Sequence, residues 1–458
     1  MKEYSKTFCV YPWIQQQTTP GGRVNFCCIS YYTSVTDDEG KPFELDKNSF
    51  SEAWNVNYMK DIRKKMMNGE AVKGCETCYK QENMGKRSYR QMHNQEWSDK
   101  LGSRYLEKLV EKSAKNDFVV DTPPAYLDLR LGNLCNLKCR MCNPHNSVQI
   151  YKEWERLDKE NDGQYTEFWK ERGHSFGGCG PWYESETFWS GVEEYIPHLK
   201  KVYMTGGEPT LIEGNYRFLK KCIEMGYASK IELFFNINFT QLKDSFLDQL
   251  NDFKWVSINA SLDGINTTNE YIRPPSRWNI CDQNFRKAAS WGLKNFSLGI
   301  SPVVQIYNIL NMVELCEYAE EVMLENKVEI LVDFLFCFSP SFLDIAILPD
   351  NVKLRALEKL EEFKPRSLSY NGKGHQLFFM KDGIDSMITR LRQTMGQENP
   401  KQMLDFVQYT KTLDVQRKQS FSEAFPELNG LLLEAGYDVA SSRGLFKNSN
   451  SQLIEARP

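Results

Sequence analysis

The sequence predicts an α/β protein: a partial (β/α)6 barrel, preceded by a small cysteine-rich α+β domain and followed by a helical region. Three observations predict it. Between residues 124 and 345 short apolar runs of strand character alternate six times with segments of helical spacing, the pattern of parallel strands joined by crossover helices. Cysteines gather before and at the start of that stretch, and from residue 346 onward the apolar spacing is helical. The expected division is therefore 1–93, a linking helix 94–123, a core 124–345 and a helical end 346–458.

Composition narrows the class. The 458 residues are 41% hydrophobic and 26% charged, as in a globular chain. A net charge of −4, from 57 Lys and Arg against 61 Asp and Glu, leaves no electrostatic footprint for nucleic acid. No apolar run approaches a membrane span, and Met1-Lys2-Glu3-Tyr4-Ser5-Lys6 leads into no apolar signal core. Thirteen cysteines in such a chain point to a reducing cytoplasm with thiols kept for metal.

In chain order, Cys9 is followed by two short strands about Gly21-Gly22, a hairpin that brings Cys9 near Cys27. Cys75 and Cys78 then form a C-x2-C pair, and residues 51–69 have helical spacing. Four thiolates suit a saturated 4Fe-4S cluster or a tetrahedral zinc, and spacing does not choose between them. Cys28 competes with Cys27; on a strand its side chain would point to the opposite face, leaving it a buried thiol. A charged helical segment covers 94–115, and Pro123-Pro124 mark the start of the core.

The alternating run Tyr126–Leu131 reads as a strand and leads directly into Cys135, Cys139 and Cys142 at C-x3-C-x2-C spacing. Three thiolates on one loop converge on a soft metal centre and leave a four-iron cube one open iron. A later strand, 200–204, ends in Thr205-Gly206-Gly207-Glu208-Pro209. Strand 231–238 ends at Asn238, and strand 255–260 runs into Ser261-Leu262-Asp263-Gly264, with Ile272-Arg273 beyond. Strands at 296–304 and 328–336 complete the six. All of these polar ends fall at the carboxyl side of the strands, where barrel sites lie.

The cysteine loop resembles that of the radical S-adenosylmethionine (SAM) enzymes, and the GGEP stretch resembles their methionine-amine site. The resemblance implies a partial TIM-like barrel and a 4Fe-4S cluster on Cys135, Cys139 and Cys142, with SAM chelating the open iron. Reductive cleavage of SAM would then give a 5′-deoxyadenosyl radical that takes hydrogen from a substrate. It also implies SAM contacts from Thr205, Gly206, Gly207, Glu208, Asn238, Ser261, Asp263 and Arg273. Where such enzymes usually have Asn-Gly, this chain has Asn238-Phe239. No catalytic acid or base is identified.

The arrangement Cys9, Gly22, Cys27, then Cys75 and Cys78, is similar to the twitch and SPASM modules that carry auxiliary clusters, here in an N-terminal position. By that resemblance a second 4Fe-4S cluster is expected on Cys9, Cys27, Cys75 and Cys78. A peptide or protein substrate is expected, with an electron donor such as flavodoxin or ferredoxin. The alternatives are a small-molecule or RNA substrate, or a non-catalytic iron–sulfur or zinc protein. The aromatic insertion 161–190, with Gly177-Gly178, suits a lid or a buttressed surface loop, and the tail after Asp438 is polar. Cys222, Cys281, Cys316 and Cys337 fall in apolar patterns and are expected in the core.

Overall fold

The computed structural model describes residues 4–30, 33–83, 87–172, 174, 179–369 and 375–439. Gly177, Gly178 and the tail from 440 lie outside the described residues. The chain forms two compact units, one of residues 1–135, 178–235 and 243–257, the other of 136–177, 236–242 and 258–458. The architecture is α/β, with mostly parallel strands flanked by helices and a helical C-terminal region.

In the first unit β1 (Gln15–Thr18) pairs antiparallel with β2 (Val24–Asn25) and parallel with β3 (Tyr126–Leu129). Parallel pairs then join β3 to β4 (Lys201–Met204) and β4 to β5 (Glu232–Ile237). The N-terminal hairpin thus extends the sheet that β3 and β4 build. Leu127, Leu129, Val202 and Met204 are wholly buried, so one side of this sheet is an apolar packing face. Gly22, at the hairpin turn with φ +81°, has no room for a side chain: a Cβ there would stand 2.6 Å from the Trp182 ring. Trp182 also donates its indole N–H to the Pro20 carbonyl at 2.8 Å. Residues 182–190 are therefore a buttress, with Trp182, Phe188 and Trp189 buried.

Arg63 is fully buried in the helix Asn57–Asn68. Its nitrogens donate to the carbonyls of Pro12, Trp54 and Phe118 and to the Asn55 side chain, all at 2.8–2.9 Å. Burial holds its guanidinium well below the usual range, to about 9. The helical spacing at 51–69 resolves into two helices, Phe50–Trp54 and Asn57–Asn68. That at 94–115 likewise becomes Tyr89–Leu101 and Ser103–Lys115, broken at Gly102 with φ +85°.

In the second unit the end of β5 meets the end of β6 (Trp255–Ala260) through Ser261 N–H to Ile237 O at 2.8 Å. β7 (Phe296–Ile300) pairs parallel with β9 (Ile330–Val332). The expected strand 296–304 is interrupted at Ser301-Pro302, so β8 (Val303–Val304) pairs instead with β10 (Leu335–Phe336) in a separate two-stranded ribbon. In the helical end, the helix Pro400–Arg417 stops where Lys418 turns to φ +52°, although apolar spacing runs on to 425, and Ser420 caps a new turn at Phe421–Ala424. Cys222 of the first unit and Cys281, Cys316 and Cys337 of the second are buried among apolar side chains.

Candidate metal and cofactor sites

In the first unit Cys9, Cys27, Cys75 and Cys78 line one pocket, together with Arg90 and His93. Three local structures aim them there. Cys9 precedes the short helix Tyr11–Ile14 and is held from both sides: Asn94 accepts the Val10 N–H at 2.8 Å and donates to the Phe8 carbonyl at 3.0 Å. Cys75 and Cys78 open the helix Glu76–Asn83. Cys27 follows β2 in a bend; because neither Cys27 nor Cys28 is on a strand, the expected alternation of faces does not apply. Cys28 instead lies among Asp128, Arg130 and Cys27.

Burial raises the Cys9 and Cys78 thiols and pushes Cys75 up to about 12, so without metal they hold their protons. Binding metal would displace those protons. Arg90 supplies a compensating charge beside them. Its guanidinium grips Glu82 at 2.6 and 3.0 Å and donates to the Phe8 carbonyl at 2.7 Å. Among the described residues no three His, Cys, Asp or Glu side chains converge as a single ion requires. Four soft thiols that line one cavity are a donor set for a soft metal ion or an iron–sulfur group.

Two loops of the first unit meet at the end of the sheet. The Glu208 N–H binds the Leu134 carbonyl at 2.7 Å, and the Thr205 N–H reaches the Leu129 carbonyl at 3.2 Å. Gly207 has φ +30°, and a Cβ on it would lie 2.4 Å from the Leu134 oxygen, so only glycine allows this approach. Glu208 is buried and accepts from the Thr210 hydroxyl at 2.6 Å and its N–H at 3.1 Å. Its carboxylate is therefore fixed in place beside the glycine turn.

In the second unit the loop that bears Cys139 and Cys142 pairs like a strand with 272–274. Lys138 N–H donates to Pro274 O at 2.6 Å and Arg140 N–H to Ile272 O at 2.9 Å. Asp263 is fully buried. One oxygen accepts the Val303 N–H at 2.8 Å and the other lies 2.7 Å from Arg273 Nε. Arg273 Nη1 also reaches the Cys139 sulfur at 3.7 Å. Burial raises the Cys139 thiol, against the charge of Arg273, and pushes Cys142 up to about 12. Asn238 donates to Asn136 at 2.9 Å, and Asn136 donates to Thr240 at 2.8 Å, which ties the end of β5 to the same loop. Phe239 keeps a left-handed φ of +56° without being glycine, its ring packed edge-on against Phe285.

The helix Pro400–Arg417 closes this loop from behind, a role not read from the sequence. The Tyr409 hydroxyl donates to Arg140 O at 2.6 Å, and Asp414 pairs with the Arg140 guanidinium. Arg417 holds Glu153 at 2.6 Å, and Glu153 in turn holds Lys138 at 2.9 Å. Burial would raise the Glu153 carboxyl, but Arg417 and Lys138 keep it below its usual range. With Trp154 and Trp169, Arg417 and Tyr409 line a small cavity beside Cys139 and Cys142.

Residues 129–319 match the family model of the radical SAM superfamily. This stretch therefore matches a radical SAM domain. Cys135, Cys139, Cys142, residues 205–208, Asn238, Ser261, Asp263 and Arg273 all fall inside the matched stretch; the four-cysteine pocket precedes it. No curated protein matches the chain in sequence. Among solved structures, Streptococcus suis SuiB bound to precursor peptide SuiA is 16% identical, over 64% of this chain and 60% of that one, with a TM-score of 0.35. The structure titled native anSMEcpe with bound AdoMet is 17% identical, over 54% and 62%, with a TM-score of 0.36. The chain thus spans about three fifths of the length of these structures.

Proposed function

We propose that the protein cleaves SAM reductively at a 4Fe-4S cluster held by Cys135, Cys139 and Cys142 and abstracts hydrogen from a peptide or protein. The observation that carries this reading is the C-x3-C-x2-C loop inside the radical SAM domain, followed by the glycine turn 205–208. When bound, the cluster and SAM supply a 5′-deoxyadenosyl radical. The chain's part is to hold and shield. Gly206 and Gly207 open the backbone to an ammonium group, and Glu208 supplies a fixed carboxylate for it. Thr205, Asn238 and Ser261 offer hydroxyl and amide groups to the rest of SAM, and Asp263 serves SAM by orienting Arg273 toward Cys139.

A second 4Fe-4S cluster on Cys9, Cys27, Cys75 and Cys78 is supported by the pocket those thiols line. With all four irons ligated by protein, such a cluster carries electrons. Functionally, residues 1–93 serve this cluster, 94–123 link it, 124–345 bear SAM and 346–458 brace the cysteine loop. The setting is cytoplasmic, with a flavodoxin or ferredoxin as electron source. The peptide class rests on the similarity of the N-terminal cysteines to twitch and SPASM modules.

The test is anaerobic reconstitution, reduction with SAM, and chromatography for 5′-deoxyadenosine, with deuterated cellular peptide pools from the source organism added. Deuterium entering 5′-deoxyadenosine from a peptide fraction supports the peptide reading. Transfer from a small-molecule or RNA fraction instead would overturn it.

A further inference from the structure

Cys139 and Arg273 stand directly opposite each other. The bonds on either side of them, Lys138 N–H to Pro274 O at 2.6 Å and Arg140 N–H to Ile272 O at 2.9 Å, form a short antiparallel ladder in which 139 and 273 are the pair between the rungs. Such a pair shares no backbone bond, and its side chains lie close together on one face. Pro274 has no N–H to return to Lys138, so the ladder stops there. Arg273 Nη1 thereby reaches the Cys139 sulfur at 3.7 Å, with both residues buried.

The guanidinium is held in that place. Its Nε lies 2.7 Å from one Asp263 oxygen, and the other oxygen accepts the Val303 N–H at 2.8 Å. The Asp263 backbone is fixed as well: its N–H donates to Asn269 Oδ1 at 3.1 Å, and its carbonyl accepts Asn308 Nδ2 at 2.9 Å. Asp263 is wholly buried, and Arg273 supplies the charge that offsets it. Arg417, which lines the cavity beside Cys139, is taken up by Glu153 at 2.6 Å.

We propose that Arg273 is a positioning residue that raises the reduction potential of the SAM-cleaving cluster through a charged hydrogen bond to the Cys139 sulfur, whether or not SAM is bound. This rests on the proposed reading of Cys135, Cys139 and Cys142 as cluster ligands. A ligating thiolate carries no proton and can only accept, and a guanidinium can only donate. One electron from a one-electron reductant adds negative charge to the cluster and its sulfurs. A cationic donor held on one of those sulfurs stabilises the reduced form. The sequence Ser261-Leu262-Asp263-Gly264 with Ile272-Arg273 beyond is then one device, in which the aspartate holds the arginine and the arginine holds the sulfur.

The experiment uses full-length protein with Cys9, Cys27, Cys75 and Cys78 changed to Ala, so that only the SAM-cleaving cluster remains, alone or with Arg273→Gln or Arg273→Lys. All are reconstituted with iron and sulfide and titrated without SAM, the reduced cluster being followed by electron paramagnetic resonance. Arg273→Gln should retain about four irons and shift the reduction equilibrium about tenfold toward the oxidised form, that is, about 59 mV lower. Arg273→Lys keeps the charge and should shift it less. With arginine labelled by nitrogen-15 in its guanidinium group, pulsed resonance of the reduced parent should show a nitrogen coupling that Arg273→Lys abolishes. Full iron with an unmoved potential in Arg273→Gln would overturn the assignment, since a residue that serves only SAM or only the fold leaves the SAM-free potential alone. A parent without the coupling, or a coupling that survives Arg273→Lys, overturns it too. Should both variants lose iron, Arg417→Lys removes the other guanidinium beside Cys139: a coupling kept there supports Arg273, and its loss overturns the assignment. If the parent itself holds no iron, the cluster reading fails, and the assignment with it.

Discussion

Asp414→Ala tests whether the C-terminal helix holds the cysteine loop proposed to bear the SAM-cleaving cluster. Arg140 stands between Cys139 and Cys142 and is fully buried. Its charge is met by Asp414, by Gln419 Oε1 at 2.9 Å and by the Tyr271 ring, 3.7 Å from the guanidinium carbon. Asp414 also accepts the Tyr271 hydroxyl at 2.7 Å and the Phe421 N–H at 2.8 Å. Truncation would strand a buried cation and two further donors. Breaking a buried pair from one side costs about 3–5 kcal/mol. Because Gln419 and the aromatic ring remain, we expect the lower end, about 3 kcal/mol. Asp414→Asn keeps an acceptor but still removes the counter-charge, and should cost about 2 kcal/mol. Urea unfolding gives the stability, and iron analysis gives the consequence: a fall from about eight irons per chain toward about four, with the N-terminal cluster kept. A loss below about 1 kcal/mol for Asp414→Ala with full iron would refute the bracing role.

Gly207→Ala forces a Cβ against the Leu134 carbonyl, 2.4 Å away, and should weaken SAM binding at least tenfold in equilibrium dialysis while iron content holds. Arg63→Met leaves the carbonyls of Pro12, Trp54 and Phe118 without this donor, while the Asn55 amide oxygen keeps the Val120 N–H; a loss of about 3 kcal/mol or more is expected from urea unfolding, and a loss below about 1 would contradict the stapling role. Burial raises the Glu96 carboxyl, but the hydrogen bond with His93 and the charge of Lys201, 2.6 Å away, bring it down to about 2. A carboxyl depressed by folding stabilises above its unfolded value and loses that contribution as pH falls from about 4.5 toward about 2. Glu96→Gln should therefore narrow the stability difference between pH 6 and pH 3 by roughly 2 kcal/mol, and an unchanged pH dependence would contradict the pairing.

Local pattern carried the strands and the cysteine loop. The run read as a strand over 126–131 is one over Tyr126–Leu129, buried at all four positions; Trp255–Ala260 has the bounds its sequence suggests, and the glycine turn at 205–208 stands at a strand end. Breaks were harder, because Gly102 and Lys418 interrupt helices whose apolar spacing runs on past them. Partner choice was harder still. Gln15–Thr18 is a buried strand made of polar residues, and nothing local shows that it pairs with β3, more than a hundred residues away. Arg140 finds Asp414 across a still longer span, so the work of the last helices was invisible to periodicity.

In the proposed mechanism one cluster cleaves SAM while a separate one stands on the N-terminal thiols. The most direct measurement compares iron content and 5′-deoxyadenosine in the wild type, in the Cys135, Cys139 and Cys142→Ala protein, and in the Cys9, Cys27, Cys75 and Cys78→Ala protein. We predict about eight irons and product in the first, about four irons and no product in the second, and about four irons with residual SAM cleavage in the third. Product from the second protein, or no iron retained in it, would contradict the claim.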